Sequence, residues 1–226
     1  MVNIHFQDWG KNRPKKHYNR IHEMRIFELI FSNKLSELGI KLGKFENIIV
    51  YCLADPNKRM SYEENHALQA ISVSIPYDFM DFLNLDSANA KFQAFAYLVH
   101  TYIKPILERY STLPQLTVSE CVEKALEQII KQNYEAVFLV GKTPKKSPDR
   151  KKLAILKGIH RLEGFQLRCE VYNEKGLKIM DQILVRDVGN EIVYSRYLGT
   201  LKWENDHHIV VKSSSSNWLV EIHVED

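Results

Sequence analysis

The segment AVFLVGKT, Ala136–Thr143, admits two readings that lead to different folds. Read loosely, it matches a nucleotide-binding P-loop in which Ala136 stands for the first glycine. A P-loop needs a strand, then a glycine-rich turn of bare backbone N–H groups, then a helix that starts at the Lys-Ser/Thr pair. Here Val137, Phe138, Leu139 and Val140 occupy the would-be turn, and they belong to a strand whose amides are committed to ladder bonds. The following residues, PKKSPDRKK, carry two prolines and no apolar stripe, so no helix is expected to receive phosphates. The segment therefore reads as a strand, and no cofactor is expected.

Downstream of it the hydrophobic period is two. In FQLRCEVY, Phe165, Leu167, Cys169 and Val171 alternate with Gln166, Arg168, Glu170 and Tyr172. In WLVEIHV, Trp218, Val220, Ile222 and Val224 alternate with Leu219, Glu221 and His223, which points His223 to solvent. Such alternation marks antiparallel strands with one wet face. At least six strands are expected, joined at EG, NEKG, DVGN, END and SSSS.

Upstream the period is helical. Met24, Phe27, Phe31, Leu35 and Leu38 predict a helix over 20–38, with Gly39 as its stop. NIIVYCL (47–53) and LQAISVSI (68–75) read as a pair of strands, the second ended by Pro76. A long helix is expected from Ser87, disturbed at Pro105. Thr117 and Glu120 form a capping box for a helix over 118–132, striped by Val118, Cys121, Val122, Ala125, Leu126, Ile129 and Ile130. The expected class is α+β. A helix-rich part with a β-hairpin (1–133) precedes an antiparallel β-meander (134–226) in a sheet or partly closed barrel, as two domains or one composite domain.

Composition narrows the function. The 226 residues are 45% hydrophobic and 26% charged, with a net charge of +3. Basic and acidic residues number 16 and 15 over 1–133, and 15 and 13 over 134–226, so neither part is a basic module. Three dispersed cysteines, Cys52, Cys121 and Cys169, exclude a disulfide framework and a four-cysteine zinc site, and read as buried reduced thiols. The first residues lack a signal-peptide core and no apolar run reaches membrane-spanning length, so a cytoplasmic location is expected.

His17 and His22 are five apart, not at zincin spacing, and His207 and His208 adjoin a turn beside Glu204 and Asp206; neither pair is a metal signature. No nucleophile elbow or local Cys-His pairing is present, which argues against an enzyme, although a dispersed triad would leave no local trace. Two basic connectors remain, GKNRPKKHYNR (10–20) and GKTPKKSPDRKK (141–152). They suit solvation, an acidic partner or nucleic acid.

The segments KKSPDRKKLA (145–154), FQLRCEVYNEKGLKI (165–179), YLGTLKWENDHHIVV (197–211) and NWLVEIHV (217–224) resemble a group of small bacterial proteins. Some of these are immunity proteins of polymorphic-toxin loci. Over 1–133 only the order of elements, a strand, then IPYDFMDFLNLD, then a long helix, is similar. The resemblance implies a non-enzymatic protein that binds a protein partner, a toxin domain. The alternative is a nucleic-acid-binding regulator using the two basic connectors. Candidate anchors are Tyr194, Arg196 and Tyr197 in VYSRYLG, with Tyr194 and Arg196 on one strand face, together with Lys145, Lys146 and Arg150. The competing reading places both tyrosines over the core.

Overall fold

Val2, Ile4 and Phe6 alternate with polar residues, and this period of two makes a strand, β1 (Asn3–Asp8), that the reading above did not include. The computed structural model describes residues 2–112 and 117–225. They divide into two compact units, one ending at Tyr134 and the other beginning at Glu135.

In the first unit, β1 precedes α1 (Arg25–Glu37), β2 (Asn47–Cys52), β3 (Ser61–Asn65) and β4 (Ala70–Ile75). The sheet order is β1-β2-β4-β3. β1 and β2 are parallel, as are β2 and β4, while β3 runs antiparallel to β4. The runs 47–53 and 68–75 are thus neighbours but not a hairpin. Periodicity marks strand residues without fixing the direction of a partner, and the polar connector hides SYEEN, the strand that turns back into β4.

Helix α1 stops as expected: Gly39 adopts φ +83°, and the Ile40 amide donates to the Leu35 carbonyl at 3.1 Å. The predicted first turn of this helix is instead a 3-10 turn, Arg20–His22, and another, Lys15–His17, precedes it. The short α2 (Phe79–Leu83) is capped by Asp78, and α3 (Ala88–Leu98) by Ser87. A π-helical turn, Val99–Ile103, then leads into α4 (Lys104–Tyr110). Pro105 has no amide for the turn before it, and the wider turn absorbs the loss. In α5 (Val118–Lys131) the capping box forms, and Cys121, Val122, Ala125, Leu126 and Ile129 are buried. Ile130 stays 54% exposed. The Phe27 ring lies 5.5–6.3 Å from those of Phe82, Phe92, Phe95 and Tyr134, an edge-rich aromatic core.

The free edge of β1 is closed by side chains of α1. The Val2 amide donates to Ser36 Oγ at 3.2 Å, Ile4 to Ser32 Oγ at 3.1 Å, and Phe6 to Glu28 Oε1 at 2.8 Å. Residues 28, 32 and 36 are one helical row, and residues 2, 4 and 6 are the alternate amides that face away from β2. This row explains why Glu28 and Ser32 are buried in an otherwise apolar helix face. An exposed edge would template pairing with another chain; here each of these donors has an acceptor.

The second unit holds β5 (Ala136–Leu139), β6 (Lys145–Lys146), β7 (Lys152–Arg161), β8 (Gly164–Asn173) and β9 (Lys178–Asp187). β5 and β6 pair in turn along the same side of β7, so the opening segment is a strand followed by another strand. Helix α6 (Glu191–Tyr194) and a 3-10 turn, Ser195–Tyr197, lead to β10 (Gly199–Asn205), β11 (His208–Ser213) and β12 (Leu219–His223). The two sheets are antiparallel and open, in the orders β5-β7-β8-β9 and β10-β11-β12, rather than a closed barrel. They share one core, including Leu156, Leu167 and Cys169 from one sheet and Leu201, Ile209 and Val211 from the other.

The expected strand face through VYSRYLG does not exist. Asn190 accepts the Ile192 amide and starts a helical turn, so Tyr194 and Arg196 are not on a strand. Tyr194 is 3% exposed and stacks on Phe165 at 3.9 Å between ring centroids. Phe138 flanks the pair at 6.3 Å. Its ring fills the space over Gly158, where an added Cβ would come within 2.4 Å of it.

Candidate partner-binding site

The turn Leu162–Glu163 folds β8 back on β7 and sets Leu153 opposite Tyr172 and Ile155 opposite Glu170. Odd residues of this part of β7 and even residues of β8 share the face away from the core. Leu153, Ile155 and Tyr172 on that face are half-buried. With β6 and the two turns at that end of the sheet they line a cavity of about 450 Å³, within the range of ligand pockets.

The turn between β6 and β7 supplies the charge. Ser147, Pro148, Asp149 and Arg150 form a β-turn closed by the Arg150 amide on the Ser147 carbonyl at 2.9 Å. Ser147 Oγ donates to Asp149 Oδ1 at 2.6 Å and accepts the Lys152 amide at 3.0 Å. The Asp149 amide donates to Asp206 Oδ1 at 2.8 Å, which ties the turn to the β10–β11 connection. The Asp149 carboxyl is held below its ordinary range by Ser147 and by the Lys151 amide. The exposed side chains of Lys146, Arg150 and Lys151 therefore stand on a fixed frame. Among the described residues none of the three forms an ion pair.

Beside them the charges are matched. Buried Glu170 meets Lys157 Nζ at 2.5 Å and Lys178 Nζ at 3.6 Å, and accepts the Tyr172 hydroxyl at 2.6 Å. Desolvation pushes its carboxyl up, but the bonds from Lys157 and Tyr172 outweigh it and hold the pKa below the usual glutamate value. Arg168 and Lys178 share Asp181 at 2.9 and 2.7 Å. Glu170 thereby fixes the Tyr172 ring at the cavity wall.

Of the six residues singled out from sequence, Lys146 and Arg150 line this cavity. Lys145 is exposed, and its carbonyl accepts the Trp203 indole N–H at 3.0 Å. Arg196 pairs with Asp187 at 2.7 Å and lies over the Tyr197 ring, while Tyr197 packs partly against the core; neither lines the cavity. Tyr194 is inside the core and presents no surface to a partner. Lys151, Tyr172, Leu153 and Ile155 were missed. Register counted from the expected EG turn would set 153 against 174; the turn at Leu162–Glu163 sets it against 172.

The basic run 10–20 is partly structural. Arg13 binds Asp8 at 2.7 and 2.8 Å and Asp78 at 2.6 Å, and Arg20 binds Glu23 at 2.6 Å. All three cysteines are buried and free, and burial pushes the Cys169 thiol up to about 12 and Cys52 higher still, away from thiolate chemistry. Among the described residues no His, Cys, Asp and Glu cluster has metal-binding geometry, and no helix is long and apolar enough to cross a membrane. Comparison with known protein families, with curated proteins and with solved structures finds no match to this chain.

Proposed function

We propose that this chain is a non-enzymatic, cytoplasmic binding protein, an immunity protein that occludes a cognate toxin domain. The observation that carries the reading is a set of cations that form no ion pair among the described residues, Lys146 on β6 and Arg150 and Lys151 at a hydrogen-bonded turn, around an aromatic and apolar cavity. A preformed surface of this kind keeps the ordering cost of association low. The cavity also lies on the segments, 145–154 and 165–179, that carry the resemblance to immunity proteins. A typical interface covers about 800 Å² per partner, with a few Tyr and Arg anchors dominating. Arg150 and Tyr172 fit that role.

Co-expression with the product of the neighbouring gene tests this in the native host. The expected result is rescue of growth and recovery of a one-to-one complex. Triple charge reversal, K146E/R150E/K151E, should abolish both, and Arg196→Ala should abolish neither. Failure of the intact chain to neutralise or bind that product would overturn the reading. Retention of nucleic acid that weakens steeply with salt would favour the regulator instead.

A further inference from the structure

We infer that this cavity receives an acidic side chain of the partner together with the apolar residue next to it, a carboxylate rather than a phosphate. The inference rests on the binding-protein reading above and names the chemistry recognised. Charge is the first ground. Lys146, Arg150, Lys151 and Lys152 line it beside Glu174, the one acid among its described lining residues. This excess of positive charge calls for an anion, and the choice of a carboxylate over a phosphate rests on the backbone.

The second ground is the backbone. Phosphate sites draw on free amides at turns and helix starts. Here the Ser147 amide goes to Lys152 O at 2.9 Å, Asp149 to Asp206, Arg150 to Ser147 O, Lys151 to Asp149 Oδ1 at 3.0 Å and Lys152 to Ser147 Oγ. Pro148 has no amide. At this turn anion recognition therefore falls to side chains, and the Arg150 guanidinium can grip one carboxylate through two parallel bonds. The third ground is the floor. Leu153 and Ile155 are half-buried on the same sheet face as Tyr172, whose hydroxyl Glu170 holds. A lone acid would leave that surface wet, whereas an acid beside Phe or Leu covers it.

The test is an NMR titration of the intact chain with acetyl-Phe-Glu-amide, acetyl-Phe-Gln-amide and acetyl-Phe-phosphoserine-amide. The glutamate peptide should shift the Leu153 and Ile155 methyls and the Tyr172 ring saturably, with a dissociation constant on the order of 1 mM. The glutamine peptide should bind at least about tenfold more weakly, the loss of one charge-assisted pair. Phosphoserine should bind no tighter than glutamate. R150E/K151E should abolish the shifts, and Lys142→Glu, which lies outside the cavity, should leave them unchanged. Equal binding of the glutamine peptide, tighter binding of phosphoserine, shifts elsewhere or no shift would overturn the inference. Specific occupancy without toxin neutralisation would support this chemistry while the immunity reading fell. A captured toxin that survives the triple charge reversal would sink the cavity assignment alone.

Discussion

The edge of β1 and the outer face of β7–β8 use the same kinds of residue to opposite ends. Glu28, Ser32 and Ser36 point inward, and each accepts an amide that would otherwise be an orphan. Around the cavity, Glu170 and Asp149 point outward or sideways to fix a ring and a turn, and three cations form no ion pair among the described residues. Polar residues at the β1 edge thus complete the fold. Around the cavity, some complete the fold and the remainder face solvent, where a partner can meet them. Composition cannot separate these uses, because both units carry near-balanced charge.

The comparison breaks most visibly at Tyr194. As a core residue stacked on Phe165, its replacement by alanine should cost about 3–5 kcal/mol in chemical denaturation. A surface anchor would cost almost nothing. Next comes the seal of β1. Glu28→Leu orphans the buried Phe6 amide and strips Arg25 of its 2.6 Å partner, for a loss of roughly 3 kcal/mol. Ser32→Ala removes one acceptor from Ile4 and should cost about 1–2 kcal/mol by the same measurement.

A smaller effect sharpens the contrast through pH. Glu170 is ionised in the folded protein below its ordinary pKa, so its contribution is complete above the unfolded value and fades as pH falls through the lower folded one. Glu170→Gln should therefore flatten the acid limb of an unfolding-versus-pH curve and leave its neutral region nearly parallel to wild type. The smallest effect belongs to the cavity cations. K146E/R150E/K151E should change stability by less than about 0.5 kcal/mol, since exposed unpaired charges support little of the fold.

Local signals carried much of the architecture. The Thr117–Glu120 capping box, the Gly39 stop and the alternation through Phe165–Val171 all correspond to formed structure. These depend on neighbours within a few residues. What failed depended on distant partners. β2 and β4 were placed side by side but in the wrong sense, because direction is set by where β3 lies. β1 was overlooked although Val2, Ile4 and Phe6 alternate, and its partner row in α1 was invisible without it. The VYSRYLG alternation was too short to outweigh the Asn190 cap. Lys146 and Arg150 were found as charge, but the cavity needed the β7–β8 register to bring Tyr172 to them.

Amide hydrogen exchange on the intact chain, read residue by residue, addresses the contrast between the two units most directly. The Ile4 and Phe6 amides should exchange as slowly as core amides of β2, and the amides of β9 that point away from β8 should exchange orders of magnitude faster. Equal, rapid exchange at Ile4, Phe6 and the outer amides of β9 would mean that α1 does not close the sheet, and the contrast between the two units would be wrong.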